Sequence, residues 1–148
     1  MGHHEFGWNP SDPNDPGPLM RVQVMNARHV IEGWRDLGFE CPEPRTITAL
    51  IDTGSPFTII SKTFANYCKL FPTSPAANVK TLGGSVMCGE HAVSVAFPGT
   101  DLRPIDTIRI VSGDFLKEPN FSCLIGRDIL QNWRITFDGH RKCVSIED

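Results

Sequence analysis

The sequence predicts an all-β fold. Short apolar runs rich in β-branched residues recur along the chain, several of them alternating with polar residues, and glycine-containing turns separate them. Segments with the spacing of a helix are few and short. Because 148 residues is an ordinary length for one domain, we expect a single β domain with one or two short helices.

The first 18 residues are expected to form a flexible arm, followed by one domain over residues 19 to 148. The arm contains four prolines, which lack the N–H donor that a helix or a central strand requires. Residues 19 to 25 alternate apolar and polar side chains and predict the first strand. Residues 27 to 45 leave both a helix and a hairpin with a wide loop open, because two glycines oppose a long helix.

An aspartate stands at the end of the next apolar run. Residues 47 to 51, ITALI, predict a buried strand, and the tetrapeptide Asp52-Thr53-Gly54-Ser55 predicts a tight turn before a second strand, FTII. Asp52 has two interpretations. It is either a turn-forming aspartate that the following backbone N–H groups cap, or a reactive carboxylate held at the mouth of the turn.

A second motif lies nearer the end of the chain. Residues 123 to 133, CLIGRDILQNW, predict a strand, a glycine and a short helix. The D-T-G-S turn followed by this apolar-apolar-Gly-Arg-Asp-Ile-Leu segment resembles the retropepsin-like aspartic proteases, over roughly residues 45 to 147. Either motif alone would be weak evidence, whereas the pair in this order and spacing is specific.

The resemblance implies a fold and a set of site residues. The fold would be a retropepsin-like, barrel-like half of an acid protease, with a ψ-shaped crossing of the two motifs (the ψ-loop) and a flap hairpin. Asp52, Thr53 and Gly54 would be catalytic, and Ser55 would contact the substrate and donate its hydroxyl proton to the Asp52 carboxylate. The crossing would be built by the structural residues Gly126, Arg127 and Asp128. Its glycine would permit close backbone approach.

The resemblance also implies a homodimer acting on polypeptides. The chain has one D-T-G, whereas a pepsin-like site needs two facing aspartates, so each of two copies would supply one Asp52. The reaction would be peptide hydrolysis by a water activated between the two carboxylates, without a cofactor or a metal. One position departs from the viral pattern, because Pro56 stands where an aspartate often pairs with the arginine of the second motif. An inactive dimerisation or peptide-binding module is therefore the alternative function.

Residues 61 to 71 predict a short helix after the D-T-G loop. Ser61 is a good N-cap, and Phe64, Cys68 and Phe71 fall on one helical face. Cellular retropepsins of the DNA-damage-inducible type carry a comparable segment, so the chain looks more like a cellular or bacterial branch than a viral one.

Residues 79 to 97 predict a hairpin with glycines in its first arm. The spacing G-x-x-x-x-G also occurs here, but no Lys-Ser or Lys-Thr follows it, which excludes a phosphate-binding loop. In the retropepsin family the hairpin at this place is the flap that covers the substrate. Gly83 and Gly84 are therefore predicted to be substrate-binding residues.

The C-terminal part predicts three more strands. Residues 104 to 113 predict one, and residues 133 to 146 predict a hairpin that turns at Asp138-Gly139. Its second strand, KCVSI, would be an unpaired apolar edge and is a candidate for the dimer interface.

Composition excludes several other classes. The net charge is −3 and the basic residues are scattered, so neither nucleic acid nor a membrane is expected as a partner. No apolar run approaches the roughly 20 residues that span a bilayer, and the first residues lack the apolar core of a signal peptide, so a cytoplasmic location is expected. The five widely spaced cysteines indicate neither a zinc site nor a disulfide framework. The internal histidines, expected to lie at the surface or to be satisfied locally, are His29, His91 and His140.

Overall fold

The computed structural model describes residues 2–81, 84–114 and 120–148. Within these ranges the chain forms ten strands and three helices. The strands are β1 (His3–Gly7), β2 (Leu19–Asn26), β3 (Arg45–Ile51), β4 (Ile59–Ser61), β5 (Ser74–Thr81), β6 (Gly84–Ala96), β7 (Ile105–Gly113), β8 (Cys123–Ile125), β9 (Arg134–Asp138) and β10 (Cys143–Glu147). The helices are α1 (Arg28–Asp36), α2 (Lys62–Tyr67) and α3 (Arg127–Leu130). The all-β prediction is confirmed.

Six strands close into a barrel. They follow one another in the order β2-β3-β8-β4-β7-β6, and β6 pairs again with β2, where Val24 lies opposite Val95. Closure leaves these strands with neighbours on both sides, which removes the sheet edges that invite non-specific pairing. β5 pairs with β6 outside the ring and completes the hairpin predicted over residues 79 to 97, although its first strand already begins at Ser74.

Alternate side chains of the strands fill the barrel. β2 contributes Met20, Val22 and Val24, and β3 contributes Ile47 and Ala49, none of them more than 4% exposed. This period of two is what a strand with one face turned inward requires. Helix α3 adds two further buried side chains to the same core. Since burying one aliphatic side chain stabilises a fold by about 1.5–3 kcal/mol, the barrel is the main source of rigidity around the loops it carries.

A second sheet, in the order β1-β10-β9, joins the two ends of the described chain. The sequence predicted a flexible arm over residues 1 to 18, whereas β1 pairs in antiparallel register along the whole of β10. Arg141 donates two hydrogen bonds of 2.9 Å to the Glu5 carboxylate across this pair, and Phe6 packs against the barrel core. The partners are at opposite ends of the sequence, so the local pattern of the first residues does not indicate this strand.

The same pairing changes the prediction for the last strand. The sequence predicted an unpaired apolar edge at KCVSI, but β10 lies between β1 and β9. Its side chains Val144 and Ile146 are fully buried. The prediction of an available edge at this strand is therefore wrong, because β1 and β9 form the two edges of this sheet.

Helix α1 settles the two alternatives left open for residues 27 to 45 in favour of the helix. It ends shortly before Gly38, whose φ of +82° favours glycine. Across the described ranges, no helix is long and apolar enough to cross a bilayer.

Helix α2 begins as predicted and ends earlier. The Ser61 hydroxyl oxygen accepts the N–H of Phe64 at 3.2 Å, which confirms the predicted N-cap. The predicted apolar face is wrong in part: Cys68 is buried, but Phe64 and Phe71 are 37% and 48% exposed. The helix stops at Tyr67, so Phe71 lies beyond its last turn.

His91 on β6 is a buried histidine with both ring nitrogens bonded. Its Nδ1 lies 2.9 Å from the Phe71 carbonyl oxygen, and its Nε2 lies 2.7 Å from the Ser112 hydroxyl. Because a carbonyl only accepts, Nδ1 carries a proton, and the Ser112 hydroxyl can donate to Nε2 of the neutral ring. Burial lowers the pKa of His91. The expectation of a locally satisfied histidine is confirmed here.

We expect His91 to make the fold less stable in mild acid. The ordinary pKa of histidine, about 6.5, applies in the unfolded chain, and burial lowers the folded value, so the unfolded chain takes up the proton first as the pH falls. The stability present above about pH 6.5 is therefore lost as the pH falls toward the folded pKa. The measurement is the Tm of the wild type and of His91→Gln about one unit above and one unit below pH 6.5.

The Tm of the wild type should fall more between these two conditions than that of His91→Gln. His140→Gln, at an exposed histidine, is the control and should behave as the wild type. Equal falls in the wild type and in His91→Gln would contradict the assignment.

Candidate active site

The two sequence motifs meet because of one topological feature. β3 and β4 follow one another in the chain, yet β8 lies between them in the barrel. β8 runs parallel to β3, with Ile51 opposite Ile125, and antiparallel to β4, with Ile59 opposite Leu124. The loop of residues 52–58 therefore passes around the end of β8, as a ψ-shaped crossing requires.

Asp52 opens this loop and is half-buried. Its N–H donates to the Ile125 carbonyl at 3.0 Å, which fastens the residue to the end of β8. Its Oδ1 accepts the N–H of Gly54 at 2.9 Å, and a Cβ on Gly54 would lie 3.1 Å from the same oxygen. The carboxylate is thus capped as the turn interpretation requires, while it remains open to solvent as a reactive group must be.

The outward side of the loop is exposed. Thr53, Gly54 and Pro56 face solvent, and Phe57 is 51% exposed. A large apolar side chain in this position is one that a ligand or a second chain can cover. The loop therefore combines a fastened inner side with an open outer side next to Asp52.

The prediction that Ser55 donates its hydroxyl proton to Asp52 is wrong. The Ser55 Oγ donates to the Phe57 carbonyl at 2.6 Å, and a hydroxyl has one proton to give. The chain turns at Pro56, which brings that carbonyl back over the buried serine. Ser55 thus braces the loop itself. Its predicted contact with substrate stays a prediction.

Gly126 has no room for a side chain. A Cβ at this residue would lie 2.4 Å from both the carbonyl carbon and the carbonyl oxygen of Phe57, and 2.9 Å from the carbonyl oxygen of Ser55. All three are backbone atoms, which cannot turn aside as a flexible side chain can. This is the kind of close approach for which a glycine was predicted at the crossing.

Arg127 binds the D-T-G loop from the other side of the crossing. Its N–H donates to the Ser55 carbonyl at 2.8 Å, and its Nη1 donates to the Thr53 carbonyl at 3.0 Å. In the viral pattern an aspartate pairs with this arginine, but Pro56 stands at that position here. A backbone carbonyl takes that place, because Arg127 opens α3 directly above the loop.

Asp128 holds the far end of the loop. Its Oδ2 accepts the N–H of Thr58 at 2.9 Å, and its Oδ1 accepts the Thr58 hydroxyl at 2.7 Å and the N–H of Ile129 at 2.9 Å. Thr58 is not among the site residues that the sequence motifs predicted. The available signal was a polar side chain inside the apolar run FTII, since a hydroxyl buried there needs a hydrogen-bond partner.

The two glycines predicted to bind substrate are described in part. Gly83 lies outside the described residues. Gly84 begins β6 opposite Thr81, and its φ of +120° favours glycine. Its predicted contact with substrate stays a prediction.

Several solved structures share this fold. A retropepsin-like aspartic protease from Rickettsia conorii matches with a TM-score of 0.61 and 14% identity, over 98% of this chain and 89% of that chain. The EIAV protease in complex with the inhibitor HBY-793 matches with a TM-score of 0.55 and 20% identity, over 78% of this chain and 86% of that chain. An aspartic proteinase from Irpex lacteus matches with a TM-score of 0.50 and 10% identity, over 99% of this chain and 46% of that chain.

No protein-family model and no curated protein matched the sequence. The structural matches nevertheless extend over 98% and 78% of this chain. The chain therefore has the fold of the retropepsin-like aspartic proteases.

We expect Gly126→Ala to lower the free energy of unfolding by about 3 kcal/mol or more, because the added methyl group meets two backbone atoms at 2.4 Å. Gly139→Ala is the matched control. It adds the same methyl group in an exposed turn with no atom within 4 Å, and should change the stability by less than about 0.5 kcal/mol. Urea unfolding of both variants is the measurement, and similar losses in the two would contradict the close packing at the crossing.

Proposed function

We propose that the chain is an aspartic endopeptidase that works as a homodimer, with one Asp52 from each copy in a single active site. The observation that carries the proposal is the position of Asp52. Its backbone is fastened to Ile125 and its carboxylate is oriented by Gly54, at the crossing of a retropepsin-like fold.

The proposed reaction uses the two carboxylates as a pair. Two such groups a short distance apart cannot both ionise cheaply, so they share one proton. The ionised Asp52 takes a proton from a water, whose oxygen attacks the peptide carbonyl carbon, while the protonated Asp52 polarises the carbonyl oxygen. The carbon–nitrogen bond then breaks, and the leaving amine receives a proton from the pair.

The other loop residues have proposed roles in the dimer. Gly54 lacks a side chain, which leaves space for the substrate backbone beside the carboxylate. Thr53 is exposed on the outward side of the loop, where a second loop related by a two-fold axis would meet it. The Irpex lacteus proteinase supports a paired arrangement, since this chain covers slightly less than half of it.

The β5–β6 hairpin is the proposed flap. β5 pairs with β6 outside the closed ring, and Gly84 begins β6 with a φ of +120°. Gly83 and Gly84 are proposed as substrate-binding residues of the flap. A hairpin of this kind can close over an extended peptide and offer it backbone hydrogen bonds.

One observation favours the alternative of a peptide-binding or dimerisation module without activity. Pro56 removes the acidic side chain that the viral pattern places beside the arginine, and Arg127 bonds to a backbone carbonyl of its own loop. The two proposals share the fold and the open loop. They differ in whether the Asp52 pair cleaves a bound peptide.

We expect Asp52→Asn to fold, to dimerise and to cleave no peptide, because the amide oxygen can still accept the Gly54 N–H but cannot act as a base. The measurement is cleavage of a random peptide mixture, read by mass spectrometry. Asp138→Asn is the matched control, since Asp138 caps another turn through the N–H groups of His140 and Arg141. The proposal fails if the wild type cleaves nothing, or if Asp52→Asn cleaves as fast as the wild type.

We expect activity to require two Asp52 residues in one dimer. When wild type is mixed with an equal amount of Asp52→Asn and the chains exchange, mixed dimers carry one aspartate, so the total activity should fall to about half of that of the wild type alone. Dilution through the dimer dissociation constant should likewise reduce the specific activity. An activity that is unchanged by mixing, in chains shown to have exchanged, would mean that one chain is sufficient.

A further inference from the structure

Thr58 is a buried polar residue whose role the proposed reaction does not yet explain. It is 3% exposed and stands at the end of the catalytic loop, just before β4. A hydroxyl in such a place must be bonded, and here it is bonded twice. The Thr58 Oγ1 donates to the Asp128 carboxylate at 2.7 Å and accepts the N–H of Gly126 at 3.1 Å.

The second of these bonds leads directly to Asp52. The N–H of Gly126 and the carbonyl of Ile125 belong to one peptide unit, which is planar and rigid. Its carbonyl accepts the Asp52 N–H at 3.0 Å, and its N–H donates to Thr58 at 3.1 Å. This single peptide unit is therefore held on one side by Asp52 and on the other by Thr58.

The contacts form a continuous chain of hydrogen bonds from the Asp128 carboxylate to the backbone N–H of Asp52. The Asp128 carboxylate accepts from Thr58, Thr58 accepts from the Gly126 N–H, and the carbonyl of the same peptide unit accepts from the Asp52 N–H. Hydrogen bonds in such a chain polarise and strengthen one another. The charge at its end comes from Asp128, which also accepts two backbone N–H groups and is thereby fixed in place.

We propose that Thr58 and Asp128 are positioning residues for the reaction, which set the orientation of the Ile125–Gly126 peptide unit and through it the position of Asp52. This inference rests on the proposed endopeptidase function and adds two residues to it. Neither residue needs to touch the substrate. Because small displacements of a reacting group cost large factors in rate, loosening this peptide unit should reduce the chemical step more than substrate binding.

The test compares Thr58→Val with Thr58→Ser in the full chain. Valine keeps the shape and removes the hydroxyl, while serine keeps the hydroxyl and removes a methyl group. Active sites are first counted by titration with a hydroxyethylene peptide that mimics the tetrahedral intermediate, so that loss of folded dimer is not mistaken for loss of rate. Thr136→Val, at an exposed position of β9, is the matched control.

We expect kcat per titrated site to fall roughly tenfold or more in Thr58→Val with little change in KM, and to return to within about threefold of the wild type in Thr58→Ser. Thr136→Val should match the wild type. A Thr58→Val enzyme with the kcat of the wild type would overturn the inference. An equal loss in Thr58→Ser would also overturn it, because the hydroxyl would then not be the cause. A wild type that cleaves nothing would instead refute the proposed function.

A second variant and a second readout keep the inference testable if Thr58→Val does not fold. Asp128→Asn keeps the volume but replaces an acceptor of three hydrogen bonds with a group that has one acceptor oxygen and a donor amide. Its kcat should also fall. Independently of activity, the amide proton resonances of Gly126 and of Asp52 should both move in this variant, although Asp128 bonds to neither. An unchanged Asp52 amide resonance would show that the chain of bonds does not reach the catalytic loop.

Discussion

The candidate site depends on two backbone segments that pass each other with no side chain between them. At Gly126 the end of β8 touches the backbone of Ser55 and Phe57 so closely that even a methyl group would overlap it. This contact brings the Ile125 carbonyl within reach of the Asp52 N–H and the Arg127 N–H within reach of the Ser55 carbonyl. A larger residue at the crossing would separate the segments and break these bonds together.

The loop of residues 52–58 is consequently well fastened for an irregular segment. Loops usually satisfy their backbone groups with water, and are mobile for that reason. Here the bonds run from the loop to β8 and α3, which are built into the barrel core through buried side chains. Apolar packing elsewhere in the domain thus stabilises the position of Asp52. The loop itself needs few bulky side chains to stay in place.

Local sequence patterns and the order of the two motifs predicted several elements and the fold. Alternation predicted β2, the apolar run before Asp52 predicted β3, and Ser61 predicted the start of α2. The two motifs together indicated the fold, because a D-T-G turn and an apolar-apolar-Gly segment in this order have few other uses.

The wrong predictions concern strand or hydrogen-bond partners that lie far apart in sequence or that depend on the exact geometry of a turn. β1 and β10 lie at opposite ends of the sequence and pair with each other. The local sequence pattern therefore indicated neither the strand in the first residues nor the pairing that covers the edge at KCVSI. The hydroxyl of Ser55 had two candidate acceptors within a few residues, the Asp52 carboxylate and the Phe57 carbonyl. The chain turns at Pro56, and the hydroxyl donates to Phe57. Thr58 was overlooked because a single threonine in an apolar strand is common, and only its partner Asp128 distinguishes it.

As a homodimer, the proposed endopeptidase would divide its task between the fold and a second copy. The barrel fixes the inner side of the loop, whereas Thr53, Pro56 and the half-exposed ring of Phe57 remain in water. A carboxylate in that setting interacts weakly with other charges, because water screens it. Pairing two loops and covering them with the hairpins would exclude water, and the same carboxylates would then act in a medium where fixed dipoles and charges have much larger effects. On this view the single chain is stable but chemically incomplete, since the stiffness comes from the barrel and the closure must come from assembly with substrate.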